Sequence, residues 1–216
     1  MMVNNGNQQE CLKIVYICVM RVCLMTESVI QERLLEYMPI MVAAEAGYRQ
    51  ILIILGIDPG YAILGYGVLE ADGRKVRPLD YGVVETKVGT PFPERLDMLY
   101  AGVNELLRLY KPDCAVFEEL FFYHNATTAI QVGAGRGVAM LAAQQGGIPL
   151  YEYTPMQIKL AVTGNGHADK KQVQQMVKLL LNLKTVPKPD DAADALGAAI
   201  CHANTSEVSR AEFRIK

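Results

Sequence analysis

From residue 53 onward, the chain alternates short apolar segments with longer segments of helical periodicity, and this order limits the folds that it can adopt. Three of the apolar segments have the length and composition of strands: residues 53–57, 65–69 and 81–86. The Asp-Gly pair at 72–73 and the Arg-Pro pair at 77–78 are typical of turns. Consecutive strands joined by short turns predict a three-strand antiparallel meander.

Helices and two further strands are predicted to follow in alternation. Leucines and a valine at helical spacing predict a helix that ends at Lys111-Pro112, because proline disfavours a helical residue before it. The later predicted elements are a strand at 114–117, a helix at about 125–145, a strand at 150–153, and helices around 173–180 and over 190–203. Thr154 precedes a proline and is a typical helix N-cap. This order predicts an α/β protein of the ribonuclease H-like fold, with a central mixed five-stranded sheet flanked by helices.

The composition changes near residue 52. The first fifty residues contain six of the ten methionines and three of the five cysteines, and they carry no motif with chemistry. The first predicted strand starts at residue 53 with a complete core pattern. We therefore expect an amino-terminal extension over 1–52, a folded domain over 53–205 and a carboxy-terminal tail over 206–216.

Charge and cysteine content limit the class of protein. The net charge of −2 does not indicate a nucleic-acid partner, so such a partner has to be argued from local clusters of charge. The five cysteines follow no metal-ligand spacing and predict reduced thiols in a cytoplasmic protein. The apolar segment at 12–25 is interrupted by Lys13 and Arg21 and is too short to span a bilayer. We expect no membrane segment.

Two aspartates three residues apart, Asp191 and Asp194, lie at the start of the last predicted helix. Residues at this spacing share a helix face, so the two carboxylates point the same way. Like charges side by side repel each other unless a positive charge lies between them, and carboxylate oxygens are the ligands that Mg²⁺ prefers. The pair predicts a cation site or, alternatively, an acidic first turn stabilised by the helix dipole.

Two more carboxylates, those of Asp58 and Glu118, each follow an apolar strand. In the predicted fold they end the first and fourth strands, and neighbouring strands lie about 4.8 Å apart. Taken alone, Asp58 in Asp-Pro-Gly is a common turn residue and Glu118 is a common strand-end surface residue. Together with the two helix aspartates, they predict a single site for a pair of ions.

Positive charge is concentrated just before the acidic helix. Residues 159–188 contain six lysines and one acid, and they include a glycine-containing loop at 164–167. Cationic contacts are expected beside a site that receives a phosphate, although a charged run is also typical of a solvated face. The three histidines are scattered, and His202, about two helical turns beyond Asp194, is predicted to be a packing or helix-end residue.

Several ordered motifs resemble those of the RuvC-type Holliday-junction resolvases, or crossover junction endodeoxyribonucleases. The similarity covers about residues 53–205, which it identifies as a nuclease domain. The motifs are Gly-Ile-Asp-Pro-Gly at 56–60, Gly-Tyr-Gly at 65–67, Glu118 three residues before Phe121, Ala-Gly-Arg-Gly-Val-Ala at 134–139, and Asp-Ala-Ala-Asp-Ala-Leu at 191–196.

The resemblance implies a metal-dependent endonuclease that cuts two symmetric strands of a four-way junction during DNA recombination and repair. It implies a homodimer, with the glycine-containing helix at the dimer interface, and a branch-migration motor complex as a partner. Two Mg²⁺ ions per subunit are implied, for which Mn²⁺ can substitute. The catalytic and metal-binding carboxylates are then Asp58, Glu118, Asp191 and Asp194.

The resemblance also implies DNA contacts. Lys159 and Lys170 match lysines that contact DNA near the scissile phosphate, and Lys171 is a neighbour with a weaker match. Phe121 matches an aromatic residue that stacks on a base at the junction, a contact that tolerates any base.

Other functions share parts of this pattern. A related nuclease of the same fold acts on structured RNA in ribosomal RNA processing, and a catalytically silent member of the fold binds nucleic acid without cutting it. Residues 53–60 also resemble the phosphate loop of actin-like ATPases. Those ATPases need a second related domain, and the chain from residue 53 to its end is about one domain long.

Overall fold

The computed structural model describes residues 51–73, 75–120 and 126–215. Apart from Ile51 and Leu52, the predicted amino-terminal extension lies outside the described residues, as does Phe121. Ile51 and Leu52 belong to the first strand, where they pair with Asp72 and Ala71. The strand therefore begins two residues before the predicted start of the domain.

Five strands and six helices form the described part of the chain. The strands are β1 (Ile51–Asp58), β2 (Ile63–Asp72), β3 (Lys75–Glu85), β4 (Cys114–Glu118) and β5 (Leu150–Tyr153). The helices are α1 (Phe92–Tyr110), α2 (Ala126–Gln145), α3 (Pro155–Thr163), α4 (Lys170–Leu180), α5 (Asp190–Asn204) and the short α6 (Glu207–Arg210), which precedes a 3₁₀ turn at Ala211–Phe213. No helix in the described ranges is long and apolar enough to cross a membrane.

The strands form one mixed sheet in the order β3-β2-β1-β4-β5. The β1–β2 and β2–β3 pairs are antiparallel, whereas the β1–β4 and β4–β5 pairs are parallel. Parallel neighbours need a crossover, and α1 and α2 supply the connections before β4 and β5. The predicted five-stranded mixed sheet is confirmed.

The turn predicted at Arg77-Pro78 is wrong, because both residues lie inside β3. Pro78 pairs with Leu69, next to a register shift in the β2–β3 ladder. Strand β3 is at the edge of the sheet, where a residue without an N–H group is tolerated. The other predicted turn, at Asp72 and Gly73, connects β2 to β3, and Gly73 has the positive φ of 59° that favours glycine.

Hydrophobic layers cover both faces of the sheet. Successive residues of a strand point to opposite faces, so Ile54 and Leu55 belong to different layers. On the Ile54 side, α3, α4 and α5 contribute core residues that include Ile158, Val173, Val177, Leu196 and Ile200. On the Leu55 side, α1 and α2 contribute Leu99, Val103, Ala139 and Ala142.

Three glycines let α5 lie directly on the sheet. A Cβ atom at Gly56 would be 2.1 Å from the carbonyl oxygen of Ala195, and one at Gly67 would be 2.7 Å from the Leu196 side chain. A Cβ atom at Gly65 would be 2.1 Å from the carbonyl oxygen of Asp191. Any larger residue at these positions would push the helix away, so the glycine-rich strand motifs set the distance of α5 from β1 and β2.

The predicted tail packs against the other edge of the sheet. Arg214 forms an isolated antiparallel bridge with Tyr151, and the Ile215 amide donates to the carbonyl of Leu150 at 2.9 Å. The Phe213 ring lies 4.7 Å from the Tyr153 ring. The tail therefore covers part of the unpaired edge of β5, which would otherwise offer main-chain groups to another strand.

Candidate active site

Two parallel strands bring Asp58 and Glu118 together. Asp58 is the last residue of β1, and Glu118 is the last residue of β4. Ile57 and Phe117, which precede them, are partners in the parallel ladder. The two acids therefore follow equivalent positions of neighbouring strands, as the sequence predicts.

Helix α5 brings Asp191 and Asp194 to the same place. The helix begins at Asp190, and Asp191 lies in its first turn. Asp58 is the partner of Gly65 in the β1–β2 ladder, and it is the carbonyl group of Asp191 that packs against Gly65. The first turn of α5 therefore lies beside the end of β1. We call Asp58, Glu118, Asp191 and Asp194 together the acidic site.

The electrostatic coupling within the acidic site is strong. The pKa of Asp58 is raised to about 8, first by burial and then by the charges of Asp194, Glu118 and Asp191, in that order of size, while Lys170 lowers it. Burial, followed by the charge of Asp194, raises the pKa of Glu118 to about 7. Burial also raises the pKa of Asp194. Repulsion between like charges that are removed from water explains these directions.

Lys170 supplies a positive charge at this site. Its Nζ atom lies 3.1 Å from Oδ2 of Asp194 and 3.4 Å from Oδ2 of Asp190. Lys170 is the first residue of α4, whose N-cap Asp169 forms a capping box with Gln172. The cap fixes where α4 begins, and it thereby directs Lys170 toward α5.

Acidic and lysine side chains line one small cavity of about 230 Å³. Glu118, Asp194, Lys159 and Lys170 line it, together with three apolar residues. Both lysines also lower the pKa of Glu118, which places their charges near its carboxylate. Lys171 is exposed and does not line this cavity. Of the three predicted DNA-contacting lysines, the structure thus brings Lys159 and Lys170 into the site.

The donors of the acidic site fit a hard divalent cation. All four are carboxylates, the ligand type that Mg²⁺ and Mn²⁺ share, and a positive ion between them would relieve the repulsion that raises the pKa of Asp58. In the described ranges, no group of three or more His, Cys, Asp or Glu side chains could hold an ion as placed. Asp194 contacts Lys170 instead, so sharing an ion requires its carboxylate to move.

His202 is a buried residue, as predicted. Its side chain is 1% exposed, and its Nδ1 atom lies 2.9 Å from the hydroxyl of Tyr153. Burial and the nearby charge of Arg210 lower the pKa of His202 to about 3. A histidine that remains neutral across the physiological range fits a structural role in the core.

Two residues at the site were not predicted from the sequence. Asp190 contacts Lys170, and the Asp-Asp pair at 190–191 was the only available signal for it. Arg136 donates to the main-chain carbonyl of Glu118. It belongs to the glycine-containing motif at 134–139, but nothing in the sequence pairs it with a strand that ends eighteen residues earlier.

Comparisons with known proteins match most of this chain to one family. The family model of crossover junction endodeoxyribonuclease RuvC matches residues 54–202. Proteins of that name from Brevibacillus brevis and Rubrobacter xylanophilus are 57% and 53% identical over 150 and 159 residues. The alignments cover 69% and 74% of this chain, and 90% and 89% of the relatives.

A solved structure has the same architecture. The structure of T. thermophilus RuvC in complex with Holliday junction substrate superposes with a TM-score of 0.65 at 38% identity. The match covers 70% of this chain and 93% of that one. The ribonuclease H-like fold predicted from the order of elements is confirmed.

Proposed function

The chain belongs to the crossover junction endodeoxyribonuclease RuvC family, so it is a metal-dependent nuclease that resolves Holliday junctions in DNA recombination and repair, and we propose that the acidic site is its catalytic centre. The observation that carries this proposal is that Asp58 and Glu118 end neighbouring parallel strands beside the first turn of α5, where the charges of the other three acids act on Asp58. Buried carboxylates that repel one another are destabilising unless a cation compensates them. We propose that Asp58, Glu118, Asp191 and Asp194 hold two Mg²⁺ ions, with Mn²⁺ as a substitute.

The residue types suit phosphodiester hydrolysis. Two bound divalent ions would supply a nucleophilic water and stabilise the leaving oxygen. The carboxylates hold the ions and need not transfer protons themselves. Asp58 and Glu118 are half-buried at the strand ends, so their charges act through a lower effective dielectric constant than in bulk water.

The two lysines of the small cavity are proposed to bind the phosphate backbone. Lys159 and Lys170 lie beside Glu118 and Asp194, where a scissile phosphate has to approach. We propose that Lys170 turns from Asp194 to a phosphate oxygen when DNA binds, and that Lys171 contacts the backbone further from the reaction. The stacking of Phe121 on a junction base stays a prediction, because this residue lies outside the described ranges.

Helix α2 has a face that suits a second copy of the chain. Ile130 and Leu141, three helical turns apart, are 71% and 51% exposed. Gly133 and Gly137 lie on the same face, and among the described residues no atom would come within 4 Å of a Cβ atom at either position. Small residues between exposed apolar ones allow two helices to approach closely. We propose that a homodimer forms here, which would present two acidic sites to the two symmetric strands of a junction.

Two further assignments, a partner and a location, rest on the family alone. We propose that a branch-migration motor complex delivers the junction and that the protein acts in the cytoplasm. We also propose that residues 1–50 form an appendage that the nuclease domain does not need. A chain that begins at Gly47 is then expected to cut junctions as well as the full chain does.

Incubation with a synthetic four-way junction tests the catalytic proposal. The protein is expected to make symmetric paired nicks with Mg²⁺ and none with EDTA. Asp58→Asn, Glu118→Gln, Asp191→Asn and Asp194→Asn should each reduce cleavage to background while junction binding survives, because binding depends on phosphate contacts and shape. Asp97→Asn, on the exposed side of α1, is the control. If Asp191→Asn cleaves junctions nearly as well as the wild type, the assignment of α5 to the catalytic centre is wrong.

Cleavage of a structured RNA at a rate comparable to that of the DNA junction would favour the RNA-processing alternative. Junction binding without cleavage under every metal condition would identify the protein as a silent member of the fold.

A further inference from the structure

Arg136 on α2 makes three contacts with β4, which ends in Glu118, and with the neighbouring strand β5. Its Nη1 atom donates to the main-chain carbonyl oxygen of Glu118 at 2.8 Å, and its Nη2 atom forms an ion pair with Glu152 on β5. The guanidinium lies over the Phe117 ring, 5.5 Å from the centroid. The side chain is 13% exposed. A planar, multidentate donor held in this way has little freedom to move.

The peptide unit that follows Glu118 is fixed on its other side as well. The Glu119 amide donates to the carbonyl of Tyr153 at 2.8 Å, which extends the β4–β5 ladder by one bond. The carbonyl of Glu118 is therefore held by Arg136 and the next amide is held by β5. Both polar groups of one peptide unit are satisfied at the point where the strand ends.

We propose that Arg136 is a positioning residue that fixes the main chain of Glu118 and so directs its carboxylate into the acidic site. Arg136 bonds to the carbonyl group of Glu118, whereas the lysines of the small cavity act on the carboxylate. Glu152 and the Phe117 ring hold the guanidinium in place. This inference rests on the proposed catalytic role of Glu118.

The consequence for catalysis follows from geometry. The β4–β5 ladder ends with the Glu119 amide, so without Arg136 the Glu118 carbonyl loses the bond that holds it and the main chain there can shift. A misplacement of about 1 Å in a catalytic group can cost on the order of 10²-fold in rate. Arg136 acts on the placement of a group that is needed for hydrolysis and not for junction binding.

Arg136→Gln provides the first test, with the full chain, a synthetic four-way junction and saturating Mg²⁺. We expect kcat to fall by roughly 10- to 100-fold, while the junction Kd and its salt dependence stay at wild-type values. The Mg²⁺-induced rise in Tm should become smaller, because Glu118 is less well placed to share an ion. Arg77→Gln removes an arginine that is paired with Glu70 at 3.0 and 3.1 Å and should change none of these quantities.

Arg136→Lys separates positioning from charge. Lysine keeps the charge but cannot reproduce the planar fork that reaches two acceptors, so we expect it to recover little of the lost kcat. If Arg136 instead acted by binding DNA, Arg136→Gln would weaken the Kd and reduce the magnitude of the salt slope by about one, and Arg136→Lys would restore both. That result would overturn the inference.

Glu152→Gln keeps the test decisive if the arginine variants do not fold. It leaves Glu118 and Arg136 unchanged and removes only the charge that anchors the guanidinium, so we expect a severalfold lower kcat with an unchanged Kd. Wild-type kcat in every folded variant of Arg136 and Glu152 would overturn the inference. If Glu118→Gln abolishes cleavage in the same assay, the proposed catalytic site stands; if it does not, the catalytic proposal itself has failed.

Discussion

A Cβ atom at Gly65 would lie 2.1 Å from the main-chain carbonyl oxygen of Asp191, so the first turn of α5 rests on β2 with no side chain between them. Gly65 is also the ladder partner of Asp58. One glycine therefore sets the distance between a strand-borne acid and the helix that carries two more. The Gly-Tyr-Gly motif at 65–67 thus has a direct role in building the acidic site.

Gly65→Ala is expected to displace the start of α5. The added methyl group would collide with main-chain atoms, which cannot rotate away as a side chain can. Such overpacking costs about 1–3 kcal/mol, which corresponds to a fall in Tm of roughly 2–12 °C for a domain of this size. We expect junction cleavage to fall further than junction binding, because Asp191 and Asp194 move with the helix.

Gly82→Ala is the matched control for this change. Gly82 is a strand glycine on β3, and its added Cβ atom would lie 3.0 Å from the hydroxyl of Tyr66, at the far end of a side chain that can move. Thermal unfolding and single-turnover cleavage of both variants would be compared. Equal Tm values for the two variants would show that α5 is not held as closely as its packing on Gly65 implies.

The stability of the metal-free protein should fall as the pH rises. The pKa of Asp58 is raised to about 8 and that of Glu118 to about 7, whereas unfolded carboxyl groups titrate near pH 4. Between about pH 4 and about pH 8, the folded state holds protons that the unfolded state has released, so unfolding becomes more favourable as the pH increases. The slope is about 1.4 kcal/mol per pH unit for each proton held.

Urea unfolding in EDTA between about pH 5 and about pH 8 would measure this slope. Asp58→Asn should flatten it and raise the stability at the alkaline end, because the variant has no buried carboxylate to ionise at that position. Mg²⁺ binds the ionised acids of the folded state, so it should oppose the decline in a concentration-dependent manner. A wild-type stability that increases over this range would contradict the pKa directions on which the prediction depends.

Much of the fold could be predicted from the sequence, because local pattern and tertiary structure agree there. The strand at 150–153 and the helix N-cap at Thr154 were placed correctly. The error at Arg77-Pro78 has a specific cause: proline is a strong turn residue in isolation, but a strand at the edge of a sheet can include it. The sequence pattern does not show which strand lies at the edge.

The acidic site was predictable in its residues but not in its contacts. The ends of β1 and β4 and the first turn of α5 were recognisable, and the charges of Glu118, Asp191 and Asp194 all act on Asp58 in the structure. The pairing of Lys170 with Asp194 and Asp190 depends on how α4 packs against α5, and no local spacing encodes it. The contact between Arg136 and the Glu118 carbonyl likewise depends on how α2 is placed relative to β4.

Lys170 and Lys171 are neighbours in sequence, but their replacement is expected to affect junction binding and cleavage differently. Lys170→Ala removes a cavity-lining charge, so it should weaken junction binding, reduce the magnitude of the salt slope by about one and lower kcat. Lys171 is exposed outside that cavity, so Lys171→Ala should change binding without changing the kcat of the bound complex.

Lys75→Ala is the control for the lysine series. Lys75 starts β3 at the end of the sheet opposite to Asp58, where it pairs with Asp72. Its removal should leave both the salt slope and kcat unchanged. Junction titrations at several salt concentrations, with single-turnover cleavage, would measure these effects. If the salt slope for Lys170→Ala equals that of the wild type, Lys170 does not contact the DNA backbone.

The exposed face of α2 makes a prediction about assembly. Ile130 and Leu141 bracket Gly133 and Gly137, where a neighbouring helix could approach the backbone closely. If a second copy packs here, Leu141→Asp places one carboxylate from each subunit into an apolar contact. Removing these charges from water is costly, so the variant should shift toward monomers at micromolar concentration. Leu179→Asp alters a leucine that is 67% exposed on α4, in the opposite helix layer, and should leave the dimer intact.

Analytical ultracentrifugation would compare these two variants with the wild type. The expected monomer of Leu141→Asp should still nick a junction, because each acidic site is built within one chain. Its two nicks should become uncoupled in time, since nothing then holds two sites on opposite strands of one junction. A Leu141→Asp protein that sediments as the wild-type dimer would exclude this face of α2 from the interface. A monomeric wild-type protein that still makes simultaneous symmetric nicks would contradict the homodimer proposal itself.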